Sequence, residues 1–309
     1  MCTAICDGYM FGRTLDVERS YGEELVIVPR RFLFPQKAGV GADHYAIMGI
    51  AHVRGVPFFF DAINEHGLSA AALNFPKSAV YREKSAKKHN IPSYDLITYV
   101  LATCKSLQEA RALLSRVNIT DESLFEGQSP SPLHWIFSFG GNSLAVEPVT
   151  DGLAVYDDPY GVLTNEPPFP YQVANLSSYA HLSPKNPENT LCPDCELPRF
   201  SHGMGGFSMP GDFSPPSRFV RAVFAKFHTT KESDATLEKN RFFHILDTVS
   251  IPKGCVKTSD GKDVLTLYSC CADTRSLVYS VRRYSDPSAR DYKMTDADIL
   301  GDSLICRRI

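Results

Sequence analysis

Long apolar runs are missing from this 309-residue sequence. No segment reaches the roughly 18 residues of a membrane-spanning helix. A secretory leader is not expected either, because Asp7, Arg13 and Asp16 interrupt any apolar stretch near the start. An excess of either charge is absent: 32 Lys and Arg against 35 Asp and Glu leave −3. That balance gives no electrostatic reason to expect nucleic acid as a partner. Internal repeats and a clear interdomain linker are lacking, so residues 1–309 read as a single domain, large enough for one extensive core. A soluble protein of the cytoplasm is expected.

Cysteine is not scarce. Nine stand at 2, 6, 104, 192, 195, 255, 270, 271 and 306. In a reducing compartment most are expected to be free, often buried as small hydrophobes. The run LCPDCELP holds a C-x-x-C pair, Cys192 and Cys195. A zinc site needs two further ligands at recognisable spacing, and only His202 is near. A redox C-x-x-C starts a helix after a strand, whereas this one lies among prolines. Structural loop cysteines are expected, with metal and redox roles as the alternatives.

The apolar pattern alternates between strands and helices. ELVIVPR (24–30), YAIMGIAHV (45–53), VPFFFDAI (56–63) and GLSAAALNF (67–75) read as strands. PSYDLITYVLATC and SLQEARALLSRV read as helices, the second opened by the capping-box pattern Ser106-x-x-Glu109. LHWIFSF (133–139), NSLAVEPV (142–149) and GLAVYDD (152–158) return to strands, with GGN (140–142) as a hairpin turn. Residues 170–182 look helical, and 183–216 read as a long loop. PPSRFVRAVFAKF and TLEKNRFFHILDTV are helices; DVLTLYSCC and SLVYSVRRY make a late strand pair. This order suggests two sheets with helices packed outside them.

The opening MCTAICDGYMFGRTLD carries chemistry. If Met1 is removed, Cys2 bears both a thiol and a free α-amine. The amine, with an ordinary pKa of about 7.7–8.0, is suited to take the thiol's proton, so no histidine is required. A nearby Arg13 favours a thiolate, and a buried Asp16 can orient the amine. From these residues alone a plain alternative stays open: Cys2 as an ordinary strand residue, Arg13 as a surface charge, Asp16 as a turn residue. Cys6 shares a strand face with Cys2, so a disulfide between them, or simple packing, is open.

Six motifs in order widen the view: MCT, FGRTLDVE (11–18), NEHGLSAAALNFP (64–76), LHW (133–135), GVLTNEPPF (161–169) and PGDFSPPSRF (210–219). Together they resemble the choloylglycine hydrolase family, which comprises bile salt hydrolases and penicillin V acylases, from Met1 to about Tyr284. The resemblance implies an α+β fold, the four-layer αββα sandwich of N-terminal nucleophile hydrolases. It implies removal of Met1, Cys2 as nucleophile, and Arg13, Asp16 and Arg218 as further catalytic residues. Asn74 and Asn165 are implied to form the oxyanion hole, one through a backbone N–H and one through its side-chain amide, where donors must meet developing negative charge. No metal or organic cofactor is implied. A homotetramer is, partly through the region around Cys192 and Cys195. Without the resemblance, Asn74 and Asn165 could simply shape turns and Arg218 could be a solvated first-turn charge.

The implied substrate is a bile salt conjugated to glycine or taurine. Asn74 favours it, since several penicillin acylases resemble a version with Tyr there. Penicillin V and N-acyl homoserine lactones are the alternative substrates, and an inactive binding relative is the alternative of another class. A steroid needs an apolar wall, for which Leu15, Phe59, Phe60 and Leu133 are the candidates. Gly203-Met204-Gly205 falls where some relatives carry Ser-Arg-Ser. With Met204 in place of an arginine that pairs with the taurine sulfonate, glycine conjugates are expected to be preferred.

Overall fold

The computed structural model describes residues 1–34, 40–124 and 127–309. Its strands, in chain order, are β1 (Cys2–Asp7), β2 (Met10–Val17), β3 (Glu23–Val28), β4 (Ile47–Arg54), β5 (Val56–Asn64) and β6 (Ser69–Asn74). Then come β7 (His89–Pro92), β8 (Val117–Thr120), β9 (Leu133–Phe139), β10 (Asn142–Val149), β11 (Gly152–Asp157) and β12 (Val162–Leu163). The last are β13 (Val256–Lys257), β14 (Asp263–Asp273), β15 (Val278–Arg283), β16 (Asp286–Lys293) and β17 (Ile305–Arg308). Helices are α1 (Leu96–Thr103), α2 (Leu107–Leu114), α3 (Phe169–Leu176), α4 (Pro215–His228), α5 (Ala235–Asp247) and α6 (Asp296–Ile299).

Among the described residues the strands form two large antiparallel sheets and a separate parallel pair, β7 with β8. The first runs β12-β1-β2-β14-β15-β16, with β13 paired to β14; the second runs β11-β10-β9-β6-β5-β4-β3-β17. Helices α4 and α5 cover the first sheet, α1 and α2 the second, and β1 lies over β6 where the sheets face each other. Layered helix, sheet, sheet, helix, this is the four-layer αββα sandwich that the resemblance implies. One apolar core lies around the first sheet, including Ile5, Phe11, Ile136, Phe242 and Tyr279. The other lies between the second sheet and α1 and α2, including Leu96, Val100, Trp135 and Phe137. Strand alternation explains this: successive side chains of β9 enter different layers.

Two glycine features are dictated by geometry. The β9–β10 hairpin turns through Gly140 and Gly141 at φ 57° and 89°, the left-handed region a two-residue turn requires. A Cβ on Gly12, inside FGRTLD, would stand 2.0 Å from the Cys270 carbonyl oxygen and 2.9 Å from Phe242. Only glycine lets β2, β14 and α5 approach so closely there.

Some sequence expectations need correction. Ser106 accepts from the Glu109 N–H at 3.2 Å, but the Glu109 carboxylate accepts from Lys105 N, one residue before the cap, so the reciprocal half of the expected box is displaced. Strands β16 and β17 were not expected. Both are mostly exposed edge strands, and DPSARDYK and ICRR carry the charge that protects such edges rather than an apolar signal. The long loop expected over 183–216 ends at 214, just before α4 begins; it holds a short 3₁₀ turn at Met204–Gly206 and a disulfide joining Cys192 to Cys195. Cys6 packs: its buried thiol faces the Asn142 carbonyl oxygen at 4.0 Å. Four residues of strand, roughly 13 Å, separate it from Cys2, beyond disulfide reach.

Candidate active site

Cys2 opens β1 and is buried between β2 and β12. Its register sorts the neighbours. Cys2 pairs with Leu15, Thr3 with Thr14 and Ala4 with Arg13. Directly opposed residues of an antiparallel pair project to one side. Cys2, Arg13 and Leu15 therefore face the second sheet, while Thr3, Thr14 and Asp16 face the helices. Two arginines approach Cys2 from opposite sides of its strand.

Arg13 reaches across the gap between the sheets. Its Nη1 donates to the Phe60 carbonyl at 3.0 Å and to the Ala72 carbonyl at 2.7 Å, and its Nε donates to the Thr14 carbonyl at 3.2 Å. Nη2 is buried without a hydrogen-bond partner among the described residues. Burial works against the charge, but the acidic groups of Cys2, Tyr268, Asp61 and Cys270 outweigh it, so the guanidinium holds its proton above the ordinary value. Asp61 stands 3.8 Å from Arg13 Nε and is fully buried. It accepts from the Tyr268 and Tyr279 hydroxyls and from the Cys270 thiol. Burial pushes its carboxyl above the usual range, against Arg13 and these donors.

Arg218 comes from the helix side. Proline at the start of α4 fixes the first turn, and the buried face of that turn carries Arg218. Its Nη1 donates to the Cys2 carbonyl and to Thr3 Oγ1, both at 2.6 Å, and its Nη2 donates to Asn165 Oδ1 at 2.7 Å. Burial lowers its proton affinity, opposed by the charges of Asp16 and Cys2. Asp16 lies 3.8 Å from Arg218 Nη1 and accepts from Thr14 at 3.0 Å and Thr266 at 2.6 Å. Arg13, Asp16 and Arg218 are all 0% exposed, which rules out a surface charge or a solvated helix start for any of them.

Asn165 joins these parts. Its Oδ1 accepts from the Cys2 N–H at 2.9 Å as well as from Arg218, and its Nδ2 donates to the Asn74 carbonyl at 2.7 Å. Nδ2 has a second hydrogen, so it can serve another acceptor. Asp16 was the residue expected to orient the Cys2 nitrogen. Here its carboxylate engages two threonines, and Asn165 takes the nitrogen. Met1 extends the β1–β2 pairing: its amine donates to the Asp16 carbonyl at 2.6 Å, and its carbonyl accepts from Asp16 N at 3.0 Å.

The candidate wall residues separate. Leu15 and Phe60 belong to the Cys2 side, with the Tyr21 ring 6.1 Å from that of Phe60. Phe59 and Leu133 pack into the core beneath α1 and α2, so neither can line a site around Cys2. A register shift in the β4–β5 ladder accounts for this: Ile50 pairs with Asp61 but Ala51 pairs with Phe59, so Phe60 is an extra residue and Phe59 falls on the opposite face from Asp61. Met204 sits in the loop, its N–H donating to Asn186 Oδ1 at 3.0 Å.

The sequence profile described as linear amide C–N hydrolases, choloylglycine hydrolase family, matches residues 2–306. The chain belongs to the choloylglycine hydrolase family. Bile salt hydrolase/transferase of Lactiplantibacillus plantarum is 40% identical over 292 residues, 93% of this chain and 90% of that one. A solved variant of conjugated bile acid hydrolase from Clostridium perfringens superposes with a TM-score of 0.92 at 31% identity, covering 100% of this chain and 97% of the other. Penicillin V acylase from Agrobacterium tumefaciens shares the fold, with a TM-score of 0.78 at 21% identity, 99% of this chain and 90% of the other being covered. As a choloylglycine hydrolase relative, the chain is a linear amide C–N hydrolase by family.

Several residues of this neighbourhood escaped the sequence reading. Asp61, Tyr268 and Tyr279 support Arg13 from strands far apart in the chain. His134 and Glu147 form a fully buried pair behind the two asparagines. The LHW motif contains His134, and its place between the apolar Leu133 and Trp135 was the signal the sequence offered.

Proposed function

We propose that this protein hydrolyses the amide bond of bile salts conjugated to glycine or taurine, using Cys2 as an N-terminal nucleophile after removal of Met1. The observation that carries the proposal is the Cys2 nitrogen held by Asn165 Oδ1 while two buried guanidiniums flank the residue. With Met1 gone, that nitrogen is a primary amine. It takes the thiol proton, and Arg13 and Arg218 favour the negative sulfur.

The thiolate attacks the amide carbonyl carbon. As the C–N bond keeps its electrons and the oxygen becomes negative, the second Asn165 Nδ2 hydrogen and the Asn74 backbone N–H meet the oxyanion. The protonated amine passes its proton to the leaving nitrogen, and glycine or taurine departs. The thioester remains on Cys2. The now neutral amine draws a proton from water, hydroxide adds to the thioester, and the bile acid leaves as the thiolate is restored. Leu15 and Phe60 supply apolar surface for the steroid.

A single catalytic domain, a homotetramer and a bacterial cytoplasmic location complete the proposal; light scattering after size exclusion reads the tetramer. Glycine conjugates are preferred, because Met204 offers no cation to a sulfonate.

The test is amine release by purified protein given glycocholate, taurocholate and penicillin V side by side. Glycine release from glycocholate at a kcat/KM at least tenfold above that for penicillin V supports the proposal. Hydrolysis of penicillin V alone, or of none of them by protein lacking Met1, overturns it.

A further inference from the structure

His134 and Glu147 are both completely buried, on adjacent strands β9 and β10. Taking such a pair out of water is expensive, and an apolar pair of similar volume is often more stable. Neither residue touches Cys2. What they do touch is informative.

His134 lies opposite Leu73, one residue before Asn74. Its ring stacks on Phe75, one residue after Asn74, with centroids 4.2 Å apart and planes 8° from parallel. Its Nε2 is 2.9 Å from the carbonyl oxygen of Thr164, one residue before Asn165. A carbonyl only accepts, so Nε2 carries the hydrogen. Its Nδ1 is 3.1 Å from Glu147 Oε1. Both Glu147 oxygens in turn accept from Phe169 N at 3.1 Å. Phe169 begins α3, at the far end of the turn that carries Asn165.

One imidazole therefore fixes three points: the segment after Asn74, the carbonyl before Asn165 and, through Glu147, the end of the Asn165 turn. We propose that His134, clamped by Glu147, is a positioning residue that sets the separation of the Asn74 and Asn165 donors, so that it acts on the transition-state oxyanion. This rests on the reading of those two asparagines as the oxyanion hole. The ring's stacking sets the depth of one segment and its Nε2–H sets the other, so a shift of the ring moves one donor relative to the other. A misplacement of an oxyanion donor matters to the transition state far more than to the bound ground state.

The experiment uses two ligands. The C24 aldehyde of cholic acid adds to Cys2 and places a hemithioacetal oxygen in the hole; free cholate does not. Asn165→Ala is the reference, expected to weaken the aldehyde about 100-fold and cholate little. His134→Leu is expected to weaken the aldehyde, and to lower kcat on glycocholate, by about 10- to 100-fold. KM, cholate affinity and the rate of Cys2 alkylation by iodoacetamide should stay within about threefold. His134→Gln, whose amide can donate to the Thr164 carbonyl, should recover at least about tenfold of the aldehyde loss. His134→Asn, which reaches only toward Glu147, should not.

An aldehyde affinity unchanged in His134→Leu while Asn165→Ala loses its own overturns this inference alone. Parallel losses of cholate binding, alkylation and kcat also overturn it, since they mark a general structural role. If His134→Leu cannot be recovered folded, equal aldehyde affinities in His134→Gln and His134→Asn overturn it. No effect of Asn165→Ala removes the oxyanion reading, and the inference with it.

Discussion

Arg218 and Cys2 share one oxygen of Asn165: Arg218 Nη2 donates to Asn165 Oδ1 at 2.7 Å, and the Cys2 N–H donates to the same atom at 2.9 Å. The arginine thereby fixes which end of the asparagine amide faces Cys2 and which is left to donate. Arg218→Leu should free that amide to rotate and leave Asp16 buried without its cation. A stability loss of about 3–5 kcal/mol is expected from removing one partner of a buried pair, measured by urea unfolding. Amidase activity at a temperature where the variant stays folded should fall at least about 100-fold. Retained activity there would show that Asn165 is oriented by something else.

The role of Met1 is open to a direct test. In the chain that retains it, the nitrogen of Cys2 is an amide and cannot take a proton. Intact mass of active enzyme should show Met1 absent. Cys2→Ser should lose nearly all amidase activity, since a hydroxyl ionises far less readily than a thiol. The melting temperature should change little, because the substitution removes no bulk. Full activity in Cys2→Ser, or in protein whose mass includes Met1, would remove the proposed mechanism.

Arg13 supplies charge on the thiol side of the strand, and its support by Asp61 complicates a simple deletion. Arg13→Leu alone leaves Asp61 buried beside no cation, so both reactivity and stability should fall. The double variant Arg13→Leu/Asp61→Asn removes both charges and should regain stability. Alkylation of Cys2 by iodoacetamide at pH 7 should stay slow in both, by about tenfold relative to the parent. Recovery of the alkylation rate in the double variant would mean that Arg13 acts through folding rather than through its charge.

Much of this was legible in the chain, for reasons that differ by residue. Cys2, Arg13 and Asp16 lie within sixteen residues, and their chemistry follows from residue type and strand spacing. Their complete burial was not readable, and burial is what turns two arginines from surface charges into partners of a thiol. Asn165 was readable as a polar turn residue, but an amide has a donor end and an acceptor end, and only its neighbours Arg218 and Asn74 decide which faces where. Asp61 meets Tyr268 and Tyr279 across more than 200 residues of chain, a pairing without local signal. Phe59 and Phe60 show the limit of a motif neighbourhood: adjacent in sequence, they enter different layers. Strands β16 and β17 were hidden because edge strands facing water have no apolar alternation to detect.

Asp158 gives a pH test away from Cys2. Burial pushes its carboxyl up to about 6, against hydrogen bonds from Gly161 N, Tyr160 N and Ser143 and the charge of Lys226. An unfolded aspartate titrates near 3.9. The folded value is the higher one, so the folded state binds the proton more tightly. The stabilising contribution is then complete below about pH 4 and is lost as pH rises through about 6. A shift of this size corresponds to about 1–3 kcal/mol. Asp158→Asn keeps an oxygen to accept from Tyr160 N and Gly161 N, which both donate to Oδ1 at 3.0 and 2.9 Å. It removes the titration. Relative to the parent, the variant should therefore gain stability between pH 4 and pH 7.5, read as the difference between urea unfolding free energies at the two values. An equal effect of the substitution at both pH values would show that the carboxyl does not titrate between them in the folded protein, and that Lys226 holds it ionised throughout.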